Sequence, residues 1–227
     1  MFLETMLILS IDTSGKNGSV ALARGDAEHF QLIGASPVEG GTFSAQLIPL
    51  IARLLSENNL KKSDIDAFVA ATGPGSFTGL RIGLTAVKGL AEILHKPIAA
   101  VSVLEACVQK SGIKYDDARV FAALDAQRSE VYLGEYMLNK GRASCIDELL
   151  VTREEFAKRV QGKVAVTPDE ELAKVARSAV VMQIERPNSA DIARIGLQKV
   201  ARGETVSVEE LDANYVRRSD AEIFAKP

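Results

Sequence analysis

The order of β-rich and helical segments constrains this 227-residue chain more than any single motif does, because the same order occurs twice. "LILSID" (7–12), "SVALAR" (19–24) and "EHFQLIG" (28–34) are β-rich runs, the first two separated by the turn chemistry of "TSGKNG", and they predict an antiparallel meander. In "AQLIPLIARLLSENN", Leu47, Leu50, Ile51, Leu54 and Leu55 recur at helical spacing, and Pro49 either starts that helix or kinks it. A strand (65–72), a helix (78–95) and a strand (97–101) follow. Ser102 with Glu105 then forms a capping-box pattern opening a helix through about Lys110. "RVFAALDAQ" (119–127), "EVYLGEYML" (130–138) and "SCIDELLV" (144–151) repeat the strand-led opening. Helices over 153–161, 170–178 and 190–203 then alternate with strands over 163–167 and 179–184. The expected architecture is α/β in two related halves, residues 1–101 and 102–227, each a mixed sheet flanked by helices.

Composition narrows the function classes. A hydrophobic share of 47% with 25% charged residues fits an ordinary globular protein, and a net charge of −3 opposes generic nucleic-acid binding. Any RNA contact is expected to be local, or to be made by a partner. Cys107 and Cys145 stand far apart with no CxxC near either, which predicts neither a disulfide scaffold nor a zinc site. "MFLETMLILSIDTSG" lacks the basic lead of a signal peptide, and no apolar run approaches the roughly 18 residues needed to cross a bilayer. The expected location is the cytoplasm.

Most chemical signatures fail on spacing. Gly73, Gly75 and Gly79 follow a strand, but one residue too widely for a dinucleotide fingerprint, with Thr78 where the third glycine belongs. No lysine completes a P-loop, and Pro74 spoils a nucleophile elbow around Ser76. The two histidines, His29 and His95, have no second ligand at helical or turn spacing, so no metal site is expected. Asp12 ends the first strand against the "TSG" turn. It is placed either to hold a hydrated magnesium near a phosphate or simply to close an Asx-turn. Asp125 occupies the analogous position in the second half.

"GPGSFTGLRIGLTAVKGLA" poses the sharpest question. A glycine inside a helix costs about 0.8–1 kcal/mol relative to alanine, and this helix carries Gly79, Gly83 and Gly89. With Ala86 they form a stripe of small residues that admits a close neighbour, while Leu80, Leu84, Val87 and Leu90 line an adjoining face. The neighbour is either another subunit or an element of the same chain. In "GPGSF", the glycines permit a tight turn, Ser76 or Thr78 caps the helix, and the N–H groups there offer an anion site.

"LILSIDTSGKNGSVAL", "GPGSFTGLRIGLTAVKGLA" and "ALDAQRSEVYLGEY", together with the ending "DANYVRRSDAE", resemble the TsaB (YeaZ) family across nearly the whole chain. The resemblance implies the duplicated actin-like/Hsp70-like (ASKHA, ribonuclease H-like) fold, its tail packing back on the first half. It implies a non-catalytic accessory subunit for N6-threonylcarbamoyladenosine synthesis at position 37 of ANN-decoding tRNAs. Such a subunit docks on the catalytic paralogue TsaD, is joined by the ATPase TsaE, and forms a homodimer when alone. The docking helices would be residues 44–58 and 78–95, through Leu47, Leu50, Ile51, Leu54, Gly79, Leu80, Gly83, Leu84, Ala86, Val87 and Leu90. Gly83→Leu or Leu84→Glu is therefore expected to abolish docking while leaving the chain folded.

Phosphate contacts carried over from the family would be Asp12, Thr13 and Ser14, while Gly73, Gly75 and Ser76 are the phosphate candidates of the anion reading of the helix start. No cofactor is expected for this chain alone, with ATP or ADP and Mg at the assembled complex. The paralogue's metal motif, HxxxH on its first helix, is replaced here by "GGTFSAQLIPLI", so catalysis by that route is excluded. Thr42-Phe43 stands where many family members keep a histidine. tRNA is expected to be met only through the complex, and Arg217 and Arg218 of the tail either touch it or are solvated. The alternatives are a stand-alone actin-like ATPase or sugar-kinase-type phosphotransferase and, last, a peptidase.

Overall fold

A computed structural model describes residues 5–214 and Val216. The chain opens with β1 (Met6–Asp12), β2 (Gly18–Gly25), β3 (Phe30–Val38), α1 (Phe43–Glu57), β4 (Ala67–Gly73), α2 (Phe77–Leu94) and β5 (Ile98–Ser102). These strands form one sheet in the order β3-β2-β1-β4-β5, the first three antiparallel and β4 and β5 parallel to β1. Six of the seven residues of β1 and all of β4 are buried, as strands covered on both faces must be. Leu7, Leu9 and Ile11 join Val20, Leu22 and Phe68 in a core with the apolar stripes of α1 and α2.

The chain continues through α3 (Val103–Lys110), β6 (Ala118–Asp125), β7 (Glu130–Asn139), β8 (Arg142–Thr152), α4 (Arg153–Arg159), β9 (Val164–Thr167), α5 (Glu170–Val175), β10 (Val180–Gln183) and α6 (Ser189–Ala201). The second sheet runs β10-β9-β6-β7-β8, with β6–β8 an antiparallel meander and β9 and β10 parallel to β6. Read from the meander, this is the strand order of the first sheet again. Phe121, Leu133, Phe156 and Leu172 anchor its separate core.

Two compact units result: the residues up to Val103 with Pro187–Ala213, and Leu104–Arg186 with Asn214. The expected assignment of the 190–203 helix to the second half is thereby corrected. α6 lies on the face of the first sheet opposite α1 and α2. Its Gly196 sits so close to β4 that a Cβ there would meet Val69 Cγ1 at 2.2 Å. Ser189 N–H donates to Ser19 Oγ (2.9 Å), and Lys199 Nζ donates to the Ala100 carbonyl (3.0 Å). Beyond α6, Val206 N–H donates to the Ile98 carbonyl at the β5 edge (2.8 Å). Leu211 and Ala213 then join the first core. Arg217 and Arg218 lie outside the described residues.

Of the two readings of Pro49, the start of the helix is ruled out: α1 starts at Phe43, and Pro49 lies inside it on the exposed side, leaving the Ala45 carbonyl without its helical donor. Among the described residues, no helix is long and apolar enough to cross a membrane.

Candidate functional site

The loops after β1 and β4 meet, and their contacts show what the glycines accommodate. Asp12 is 4% exposed and its Oδ1 accepts Ser14 N–H at 2.9 Å, which is the Asx-turn reading of this position. Thr13 Oγ1 donates to the Gly79 carbonyl (2.7 Å), and the Ser14 carbonyl accepts Ser76 N–H (2.7 Å). Ser76 caps α2, its Oγ accepting Gly79 N–H at 3.2 Å. A Cβ would lie 2.2 Å from the Ser14 carbonyl oxygen at Gly75, from the Thr13 carbonyl oxygen at Gly79, and from Thr13 Oγ1 at Gly83. Gly73, with φ +107°, provides the bend out of β4.

Gly79 and Gly83 therefore do not open a groove for another subunit. The close neighbour is the Thr13–Ser14 turn of the same chain. The expected docking leucines are corrected for a related reason: apolar spacing of 3 and 4 marks the stripe that faces the core. Leu47, Leu50, Ile51, Leu54, Leu80, Leu84 and Val87 are all buried within the first unit. Of the docking set, Ala86 and Leu90 are half-buried.

The surface of the helix pair is built from residues outside that set. On α1 the exposed apolar positions are Ala45, Ile48, Pro49 and Ala52, with Ile48 50% exposed. On α2, Gly89 has open space at its Cβ position and Ile93 is 72% exposed, beside Ala86 and Leu90. The two helices touch one another. Isoleucines opposite a core stripe were the available sequence signal, overshadowed by the glycines.

The phosphate-contact set is brought together, but mostly satisfies itself. Ser14, Ser76 and Gly79 N–H all donate within the chain, so those groups are not the open anion site expected at this helix start. Ser14 Oγ is buried without a partner in the described structure. Asp125 accepts Arg153 Nη2 at 3.2 Å, and its N–H donates to Asp169 Oδ2 at 2.8 Å. Among the described residues, no three His, Cys, Asp or Glu side chains come together as metal ligands. His29 lies in an exposed turn, its Nδ1 3.2 Å from Asp26 Oδ1. Backbone N–H bonds from His29 and then Glu28 hold the Asp26 carboxyl below its ordinary range. His95 is the left-handed C-cap of α2.

Two strand-led halves with repeated sheet order, joined to a phosphate-type turn that has closed on itself, define a duplicated α/β protein of the actin-like/ribonuclease H-like class. The sequence profile described as "TsaD: tRNA N6-adenosine threonylcarbamoyltransferase" matches residues 27–218. The "tRNA threonylcarbamoyladenosine biosynthesis protein TsaB" of Escherichia coli (strain K12) is 31% identical, the match covering 95% of this chain and 96% of that protein. The Haemophilus influenzae protein of the same name is 26% identical over 95% of each. A crystal structure titled as an uncharacterized protein with similarity to peptidase YEAZ from Pseudomonas aeruginosa superimposes with a TM-score of 0.77. It is 29% identical and covers 93% of this chain and 100% of its own. The chain belongs to the TsaB (YeaZ) family.

Proposed function

We propose that this chain is the non-catalytic accessory subunit of a tRNA threonylcarbamoyladenosine-forming complex. In that role it supports transfer of the threonylcarbamoyl group to N6 of adenosine 37 by a TsaD-type paralogue. The observation that carries the reading is end-to-end similarity, at 31% identity, to a protein named for that biosynthesis. The division of labour is supported by the sequence of α1, which has no histidine for the paralogue's metal motif. ATP or ADP and Mg belong to the assembled complex, which a TsaE-type ATPase joins in the cytoplasm. The occupant of the α1/α2 surface is the paralogue, or a second copy of this chain when the paralogue is absent.

Docking uses the outward residues of the helix pair rather than the core leucines. Ile48→Glu with Ile93→Glu is expected to leave the thermal midpoint nearly unchanged and to abolish co-elution with the paralogue on size-exclusion chromatography. A double variant that still co-elutes would remove this surface from the interface. Leu84→Glu is unsuitable for this purpose, because it places a carboxylate in the core and unfolds the unit that presents the face.

A further inference from the structure

The second unit is electrically polar along its strands. At the end where β6 and β9 finish stand Asp125, Glu130, Glu154, Asp169, Glu170 and Glu171, against Arg128 and Arg153. At the opposite end, the loops before β6, β9 and β10 and the β7–β8 hairpin carry Lys114, Tyr115, Lys140, Arg142, Lys163 and Arg177, all exposed. Five strands at a spacing of about 4.8 Å make that end about 19 Å wide. Its acids are Asp116, Asp117, Glu135 and Asp147, the last opposite Glu135 in register on β8, with Glu135 paired to Arg119 at 2.9 Å.

Helix dipoles explain part of this polarity, since α4 and α5 begin with glutamates and end with lysine or arginine. They do not explain Lys114, Lys140, Arg142 or Lys163, which belong to no helix. The loop and hairpin are held together. Lys140 N–H donates to Asp116 Oδ1 at 2.5 Å, with Lys140 in the left-handed region at φ +50° beside Gly141 at φ +72°. That geometry sets the Lys140 residue beside the loop carrying Lys114 and Tyr115. Tyr115 is 77% exposed, the most exposed large hydrophobic residue described. An aromatic face available for stacking among phosphate-seeking cations is the arrangement by which proteins hold unpaired or backbone-exposed RNA.

We propose that this loop-and-hairpin end of the second unit is a direct RNA contact, with Lys114, Lys140 and Arg142 on phosphates and Tyr115 stacked on a base. It rests on the reading of the chain as part of a tRNA-modifying complex. A net charge of −3 opposes RNA binding spread over the whole surface, so a contact must rest on a local basic group such as this one. It also gives the accessory subunit a part in holding the substrate as well as its partner.

The test uses the assembled complex of this chain with its TsaD-type paralogue and an unmodified ANN-decoding tRNA transcript. Lys114→Glu with Lys140→Asn removes charge while placing at 140 a residue that tolerates the left-handed backbone. The double variant is expected to assemble normally and bind the transcript about tenfold more weakly. Its slope of log affinity against log salt should fall by about one for each phosphate left unneutralised. Tyr115→Ala should weaken binding with the slope unchanged, and ultraviolet irradiation should crosslink wild-type Tyr115 to the transcript. Unchanged affinity and slope in the double variant overturn the proposed RNA contact. So does loss of binding to phosphatidylserine vesicles with transcript binding intact, which reassigns the basic end to a lipid surface. Failure of the wild-type chains to assemble counts against the proposed function instead, and is read separately on the same column.

Discussion

Gly83 and Gly89 lie on one helix, and the chain uses them for opposite reasons. A Cβ at 83 would meet Thr13 Oγ1 at 2.2 Å, and that hydroxyl already donates to the Gly79 carbonyl. Gly83→Ala must push Thr13 aside or break that bond, and is expected to cost about 1–3 kcal/mol in urea unfolding. At Gly89 nothing lies within 4 Å of the added methyl, and the backbone is helical. Gly89→Ala is expected to gain up to about 1 kcal/mol from helix propensity. Equal effects of the two changes would contradict the packing described. Asp26 offers a pH measurement at the same scale. Its carboxyl titrates lower in the folded chain than in the unfolded one, because it accepts N–H bonds from His29 and Glu28. The contribution of this turn is thus present above the unfolded value and lost as acid protonates the folded carboxylate. NMR titration should place Asp26 below the ordinary aspartate range, and an Asp26→Asn variant should lose that part of the acid dependence.

At the scale of elements, β1 to β10 and all six helices follow patterns readable in the sequence, since period 2, period 3.6 and turn residues are local properties. What was not readable is which face of a helix meets what. In α1 the stripe of Leu47, Leu50, Ile51 and Leu54 announced an apolar face, and burying that face against its own sheet is the general outcome. In α2 the glycines announced a close approach, but no local signal says that the visitor is the Thr13–Ser14 turn more than 60 residues earlier. The same limit hid the destination of α6. Its start is closed by a reciprocal cap, for Asn188 Oδ1 accepts Ala190 N–H at 2.9 Å and Asp191 accepts Asn188 N–H at 3.0 Å. Nothing in 190–203 names the sheet it covers. Asn188→Ala should cost about 1 kcal/mol, and the loss should register in the first unit, where α6 packs, rather than the second. Amide exchange resolved by strand distinguishes the two.

For the whole molecule, the consequence is that the first unit is completed by a segment that follows the whole of the second in the sequence. Its sheet is covered on one face by α1 and α2, which come early in the chain, and on the other by α6. Without α6, that second face exposes Ile8, Ala21, Ala23, Ala67 and Val69, all of them fully buried in the complete chain. The Ile98 carbonyl at the sheet edge loses its bond from Val206 N–H as well. A chain ending at Arg186 therefore retains the contiguous second unit but leaves the first without one of its layers. Hydrogen exchange should show amides of β1 and β4 unprotected in that fragment while those of β6 and β7 stay protected. Adding residues 187–213 as a separate peptide should restore protection to β1 and β4. Should those strands remain protected in the fragment alone, α6 is dispensable to the first unit, and the small residues at Gly196 and Ala193 need some other explanation. Because α1 and α2, the docking surface proposed above, belong to that same unit, the fragment is also expected to lose co-elution with a TsaD-type paralogue and regain it with the peptide, which tests that proposal together with the completion of the fold.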